Sequence, residues 1–312
     1  MPKQQKNVAI IGAGSWGTAL ACMMARTYDH ALLYTWESAQ ADEINTQHKN
    51  SKYLGDILLP YEVTATTDLA ATINYDIIII AVPSHAFEDI LFDLKKINLS
   101  SKPLILIATK GLCSRPVQLF SSKIEQEFDN KYGFISGPNF AKEVALGNFA
   151  SVTITSKNLP LAKKIANILR SDQLRTTYSS DIITMQIAGI VKNIIAIKSG
   201  IFIAEGYGEN AKAWLVAQGL DEIATISQAM GGRAVSLTLP AVIGDLVLTS
   251  YSTTSRNTKF GYEFHKNNYS KEFLKSYPIL VEGISGAKLL QKYLEDYNLY
   301  LPITSSIAKL VM

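Results

Sequence analysis

Short apolar runs alternate with stretches of helical period through the first 180 residues of the chain. Val8–Ile11 reads as a strand, Ser15–Arg26 as a helix and Ala31–Thr35 as a second strand. Ile77–Val82 is an unbroken apolar run dominated by isoleucine. A strand with no polar alternation needs cover on both faces, as in the interior of a parallel sheet. Leu104–Ala108 repeats that pattern, and Gly133–Ile135, Ser151–Thr155 and Arg175–Tyr178 are shorter candidates, with a helical pattern over Leu159–Leu169. Strand and helix in alternation predict a doubly wound, mostly parallel sheet. The pattern changes near Asp181. Beyond it lie helical periods at Ile182–Glu205 and Asn210–Met230, and shorter ones near Lys271 and Ala287. The expected class is therefore α/β, with a sheet domain over 1–180 and an all-α domain over 181–312.

Composition agrees with two folded domains. The 312 residues are 47% hydrophobic and 18% charged, which is the range of globular chains. A net charge of +3 is too small to argue for nucleic acid, although local Lys and Arg can still meet a small anion. The two cysteines, Cys22 and Cys113, stand in unrelated contexts, and no Cys/His spacing suits a metal. A reduced, cytoplasmic protein fits. The start has no signal-peptide pattern. Ile182–Ala204 is apolar, but Gln186, Lys192, Asn193 and Lys198 interrupt it, so a buried core helix is expected and stable membrane insertion is not.

The sharpest motif is Gly12-Ala13-Gly14-Ser15-Trp16-Gly17, a G-x-G-x-x-G between a strand and a helix. Gly12 permits the tight turn, Gly14 lets the backbone approach a diphosphate, and Gly17 allows helix and strand to pack closely. Free N–H groups at the helix N-terminus then face the anion. A Rossmann-type domain binding NAD or NADP follows. The residue that reads the adenine ribose should end the second strand, where Trp36 and Glu37 stand. A carboxylate at Glu37 accepts from the ribose 2′-hydroxyl and repels a 2′-phosphate, favouring NAD; no Arg or Lys is adjacent to it. The alternatives are a solvated Glu37 and a Trp36 that either stacks on adenine or covers the sheet edge.

Four further segments carry candidate chemistry. Lys110 follows the strand Leu104–Ala108, where ligands of open α/β sheets bind. Ser136-Gly137-Pro138-Asn139-Phe140-Ala141 offers small polar groups and backbone N–H donors after another strand. Lys192, followed by Asn193, sits among Ile187, Ile190, Ile194 and Ile195. Burial lowers a lysine pKa toward neutrality, which suits proton transfer; the alternative is a lysine that reaches the surface. Asp245, in Gly244-Asp245-Leu246, would orient or neutralise a lysine, and Ser255-Arg256-Asn257 presents a forked donor for phosphate. A helix cap or solvated loop is the plainer reading of these two.

Seven motifs in order, G-x-G-S-W-G at 12–17, A-V-P-S at 81–84, T-K-G at 109–111, S-G-P-x-F-A at 136–141, V-K-N at 191–193, G-D-L at 244–246 and S-R-N at 255–257, together resemble the soluble NAD(P)-dependent glycerol-3-phosphate dehydrogenases, from about residue 8 to 304. The resemblance implies interconversion of sn-glycerol 3-phosphate and dihydroxyacetone phosphate by hydride transfer with NAD or NADP, supply of glycerol 3-phosphate for glycerophospholipid synthesis, and a homodimer. It implies that Lys192 is the acid/base, helped by Lys110, Asn193 and Asp245. Gly137, Asn139, Ser255, Arg256 and Asn257 would complete the substrate site with Lys110, Lys192 and Asp245. The cofactor would touch Gly12, Gly14, Ser15, Trp16, Gly17, Trp36, Glu37, Lys110, Ala141, Arg256, Leu280 and Glu282. Asn139 stands where the family often has Ser or Thr, and Trp36 where bacterial members often have a basic residue. Two other readings are a dehydrogenase of another small hydroxy acid and a dinucleotide sensor without catalysis.

Overall fold

The computed structural model describes residues 7–97 and 102–312; the basic start, Met1 to Lys6, lies outside them. The chain forms two compact units. One comprises Met1–Thr109, Ser122–Ile135 and Asn139–Ser180, the other Lys110–Ser121, Ser136–Pro138 and Asp181–Met312.

The strands are β1 (Val8–Ile11), β2 (Ala31–Tyr34), β3 (Val63–Thr66), β4 (Ile77–Ile80), β5 (Leu104–Ile107), β6 (Leu112–Ser114), β7 (Val117–Leu119), β8 (Tyr132–Ser136), β9 (Ala150–Thr155) and β10 (Leu174–Ser179). All but β6 and β7 form one sheet in the order β10-β9-β8-β5-β4-β1-β2-β3. The pairs β1–β2, β1–β4, β2–β3, β4–β5, β5–β8 and β9–β10 are parallel. Every residue of β1 and β4 is buried, which explains their unbroken apolar sequences. The chain winds from β1 through β2 to β3, then returns to β4 on the other side of β1. That reversal creates a switch point between β1 and β4, where open α/β sheets bind ligands beyond the carboxyl ends of their strands. Ile11 is in register with both Tyr34 and Ile80, so the loops after all three strands open at the same edge.

The sheet holds one strand that the sequence pattern does not announce. In β3 only Val63 is buried, because an edge strand needs no continuous apolar run. The three-residue strands β6 and β7 form an antiparallel hairpin. They are too short to show a period, and Leu112 and Leu119 pack in the core of the second unit.

That second core surrounds the helix Ile182–Ala204. Asp181 caps it, accepting from Thr184 N at 3.0 Å and Thr184 Oγ1 at 2.7 Å; such a cap satisfies N–H groups that the first turn leaves free. By length and composition this helix would cross a membrane, but 78% of its most apolar window is buried inside the protein, as a core helix requires. Against it lies the helix Arg256–Lys266, and two glycines set how closely they meet. A Cβ on Gly200 would stand 1.9 Å from Thr258 O, and one on Gly261 would stand 2.0 Å from Ile197 O. The backbones touch, so this crossing fixes Arg256 and Asn257 relative to Lys192 and Asn193.

Gly261→Ala is therefore expected to force the two helices apart. The cost should be at least that of an overpacked core, about 1–3 kcal/mol, read as a lower midpoint in urea unfolding. An unchanged midpoint would show that the crossing tolerates a side chain.

Candidate active site

In the first unit, the glycine turn follows β1 and enters the helix Ser15–Ala25. Gly12 has φ +112°, and a Cβ there would lie 2.8 Å from Ala81 O at the end of β4. A Cβ on Gly17 would overlap Gly12 O at 1.8 Å. At Gly14, by contrast, no atom lies within 4 Å of where a Cβ would be. Two glycines are thus required by the protein itself, and the third leaves open space beside the helix N-terminus. The first intrahelical bond runs from Thr18 N–H to Gly14 O at 3.0 Å, so the N–H groups before it are donors for an external anion. Trp16 adds a buried indole N–H without a partner among the described residues. These features fit a dinucleotide diphosphate at this turn.

Glu37 ends the stretch after β2, and Trp36 beside it is 80% exposed. The expectation that no basic group accompanies Glu37 is corrected here. Lys52, fifteen residues on, donates to both carboxylate oxygens at 2.7 and 3.0 Å. The loop between Gln47 and Ser51 turns the chain back through His48 in the left-handed region, a reversal that sequence spacing did not reveal. The Glu37 bond raises the Lys52 ammonium pKa above its ordinary value. Ala141 opens the helix Ala141–Leu146. Asn139 uses its amide on the backbone of Ser151, donating to its carbonyl at 2.8 Å and accepting from its N–H at 3.2 Å.

The second unit gathers the candidate chemistry around Asp245. A π-helical turn, Pro240–Gly244, runs into the helix Asp245–Tyr251; such turns recur at functional sites. It sets the Asp245 carboxylate between two lysines. Lys110 Nζ lies 2.6 Å from Oδ2, and Lys192 Nζ 2.6 Å from Oδ1. Gly189 lies alongside the arrangement. It precedes Lys192 by three residues, hence on the same helix face, and the Lys110 stem runs beside it, 3.5 Å from where a Cβ would sit, which is ordinary van der Waals contact. On the other side, Pro138 packs against Gly244, with 3.2 Å between its ring and an added Cβ. This brings Gly137 to the same region. Ser136 has a buried hydroxyl without a partner among the described residues.

The electrostatics follow from burial. Lys192 and Asp245 are 7% and 2% exposed. Two ammonium groups on one carboxylate leave an excess positive charge in a dry site, and shedding one proton neutralises it. Burial lowers the Lys192 pKa most, with the nearby Lys110 charge adding to it, and the Asp245 carboxylate only partly opposes them; the result is about 7. For Asp245, burial disfavours the charge, but Lys110 and Lys192 outweigh it and hold the pKa below the ordinary carboxylate value.

Asn193 and Asn257 form a second group. Asn257 Nδ2 donates to Asn193 Oδ1 at 3.0 Å, Asn193 Nδ2 to Gly189 O at 3.2 Å, and Gly283 N to Asn257 Oδ1 at 3.0 Å. These bonds tie Ser255-Arg256-Asn257 and the start of the helix Glu282–Tyr293 to the lysine helix. Ser255 caps the helix that Arg256 opens, and the Arg256 side of that turn is exposed. Leu280 is also exposed, just before Glu282.

One neighbour was missed from sequence. Thr249 lies one turn after Asp245; its hydroxyl accepts from Lys192 Nζ at 3.2 Å and donates to Asp245 Oδ1 at 3.3 Å. The i, i+4 spacing from Asp245 was the available signal.

Comparison with known proteins gives the family of the chain. The sequence model for the N-terminus of NAD-dependent glycerol-3-phosphate dehydrogenase matches residues 7–162, and that for its C-terminus matches residues 181–312. The chain is 44% identical over 313 residues to the glycerol-3-phosphate dehydrogenase [NAD(P)+] of Rickettsia bellii, covering 99% of both chains. It is also 44% identical over 311 residues to that of Rickettsia prowazekii, covering 98% of both. Among solved structures, glycerol-3-phosphate dehydrogenase from Coxiella burnetii superposes with a TM-score of 0.91 at 32% identity, over 98% of this chain and 94% of that one. The chain belongs to the NAD-dependent glycerol-3-phosphate dehydrogenase family.

Proposed function

We propose that this enzyme, which interconverts sn-glycerol 3-phosphate and dihydroxyacetone phosphate with NAD(P), moves the proton of that reaction through Lys192. The observation that supports the reading is the buried Lys110–Asp245–Lys192 cluster, in which one lysine is brought to about 7. Residues 1–180, apart from 110–121 and 136–138, bind the dinucleotide, and those two segments join residues 181–312 in holding the substrate. Bound NAD(P)H supplies the hydride. Lys192 as ammonium protonates the oxygen that becomes the C2 hydroxyl, and in the oxidising direction its neutral amine takes that proton. Asp245 keeps the lysine aimed, and Lys110 stabilises the developing negative charge on oxygen.

Arg256, with the helix turn that Ser255 caps, takes the substrate phosphate, and Gly137 contributes its backbone N–H. The phosphate anchors the reacting carbon, so binding energy remote from the chemistry serves orientation. Asn193 and Asn257, engaged with each other, hold Arg256 in place rather than polarise the reacting oxygen. Asn139 contributes to the site through the chain path beside Ser151, where its amide is anchored. Trp36, Glu37 and Ala141 contact the cofactor with the glycine turn, and NAD is taken somewhat better than NADP. The working form is a cytoplasmic homodimer that feeds glycerophospholipid synthesis.

NADH oxidation with dihydroxyacetone phosphate, and none with dihydroxyacetone, is the expected activity. Lys192→Met should lower kcat by about 10²–10⁴-fold, the range of general acid–base catalysis. In the wild type, reduction needs the ammonium and so should fall as pH rises through about 7, while oxidation needs the amine and should rise through the same range. Near-normal turnover of the variant would remove Lys192 from proton transfer.

Glu37 and Lys52 make opposite demands on a 2′-phosphate. Glu37→Gln should raise the NADPH-to-NADH ratio of kcat/KM by about tenfold, the worth of a charged hydrogen-bonding group, and Lys52→Ala should lower it. If neither variant changes the ratio, the pair lies away from the ribose.

A further inference from the structure

A buried polar cluster lies directly behind the glycine turn, and the proton transfer above makes no use of it. Asn50 is fully buried and Gln40 nearly so. Both belong to the first unit, Gln40 on the helix Ser38–Gln47 and Asn50 at the cap of the short helix Ser51–Leu54. Their amides converge on one backbone atom. Gln40 Nε2 donates to Ala13 O at 2.8 Å, and Asn50 Nδ2 donates to the same oxygen at 3.0 Å. Thr18 Oγ1 adds a longer bond at 3.3 Å.

The remaining valences are filled so that each amide has one orientation. Gln40 Oε1 accepts from the Thr35 hydroxyl, which leaves Nε2 for Ala13. The second Nε2 proton goes to Asn50 Oδ1 at 3.0 Å, and the second Nδ2 proton of Asn50 goes to Thr18 Oγ1 at 2.8 Å. Thr35 Oγ1 in turn accepts from the Glu37 N–H at 3.2 Å. One connected network therefore runs from the ribose-reading end of β2 to the glycine turn.

We propose that Gln40 and Asn50 are positioning residues for the dinucleotide diphosphate, acting through the Ala13–Gly14 peptide. That peptide is trans, so its N–H points opposite to its carbonyl. Holding the Ala13 carbonyl on the amides therefore turns the Gly14 N–H away from them, and at Gly14 no atom lies within 4 Å of where a Cβ would be. Donors on the carbonyl also polarise the peptide and strengthen its N–H as a donor. Glycine at this turn has a wide choice of backbone conformation, and the network removes that choice before any ligand arrives. Preorganisation of this kind gives affinity without a new contact. The inference rests on the reading of the glycine turn as the diphosphate site.

The test compares wild type with Gln40→Leu, Asn50→Leu and Thr18→Val, using NADH, ADP and adenosine as ligands. The two leucine variants should bind NADH and ADP about tenfold more weakly, one well-made hydrogen bond to a charged group being worth that factor. Adenosine, which has no diphosphate, should keep its affinity, and kcat and the KM for dihydroxyacetone phosphate should stay within about twofold. Thr18→Val removes a single hydroxyl; if the leucine variants fail to fold, it should show the same split at a smaller factor. Unchanged NADH affinity in folded variants, equal losses for ADP and adenosine, or a fall in kcat at constant KM for NADH would each overturn the proposal. Wild-type protein that binds no ADP would overturn the glycine-turn reading itself, and this inference with it.

Discussion

One carboxylate shared by two lysines is the constraint on which the second unit depends. Asp245, 2.6 Å from both Nζ atoms, is nearly inaccessible to water. A charge so placed is costly unless it is paired, and removing one partner of such a pair typically costs about 3–5 kcal/mol. With three charged groups there is always one too many of a sign. The site is stable with Lys192 either charged or neutral, because the charge excess costs about as much as deprotonation does near neutral pH. That balance is what an acid in one direction and a base in the other requires.

The fold around this cluster is organised by backbone approach. Gly244 admits Pro138, and Gly200 and Gly261 let two helices meet at their main chains. Each is a place where the sequence gives up a side chain so that a functional group elsewhere can be fixed. The first unit uses the same device at Gly12 and Gly17, while Gly14 is left open for a ligand. Behind that turn, amides of Gln40 and Asn50 do for a backbone carbonyl what Asp245 does for two ammonium groups: a buried, fully satisfied polar group sets the direction of a donor.

Much of this was legible in the sequence. The apolar runs of β1, β4 and β5 announced a parallel sheet because both of its faces are covered, and the glycine motif located the turn. Lys110, Lys192 and Asp245, separated by 82 and 53 residues along the chain, were each recognisable as candidates, but only the fold shows that they share one carboxylate. The partner of Glu37 was hidden because Lys52 reaches it after a chain reversal at His48 that no local pattern encodes. Edge strand β3 and the hairpin of β6 and β7 went unread since four residues with a single buried position, or strands of three residues, are too short to show a period. Gln40, Asn50 and Thr249 are polar residues of ordinary type, and their importance lies in what they face, which composition and spacing do not record.

The central claim is that burial, opposed only in part by Asp245, brings Lys192 to neutrality near physiological pH. Its most direct test is an NMR titration of the protein carrying lysine labelled with 13C at Cε, with Lys192→Met to assign the signal. The account predicts one resonance, absent from the variant, that titrates at about 7. A Lys192 resonance that titrates near the reference lysine value of about 10.4 would contradict it.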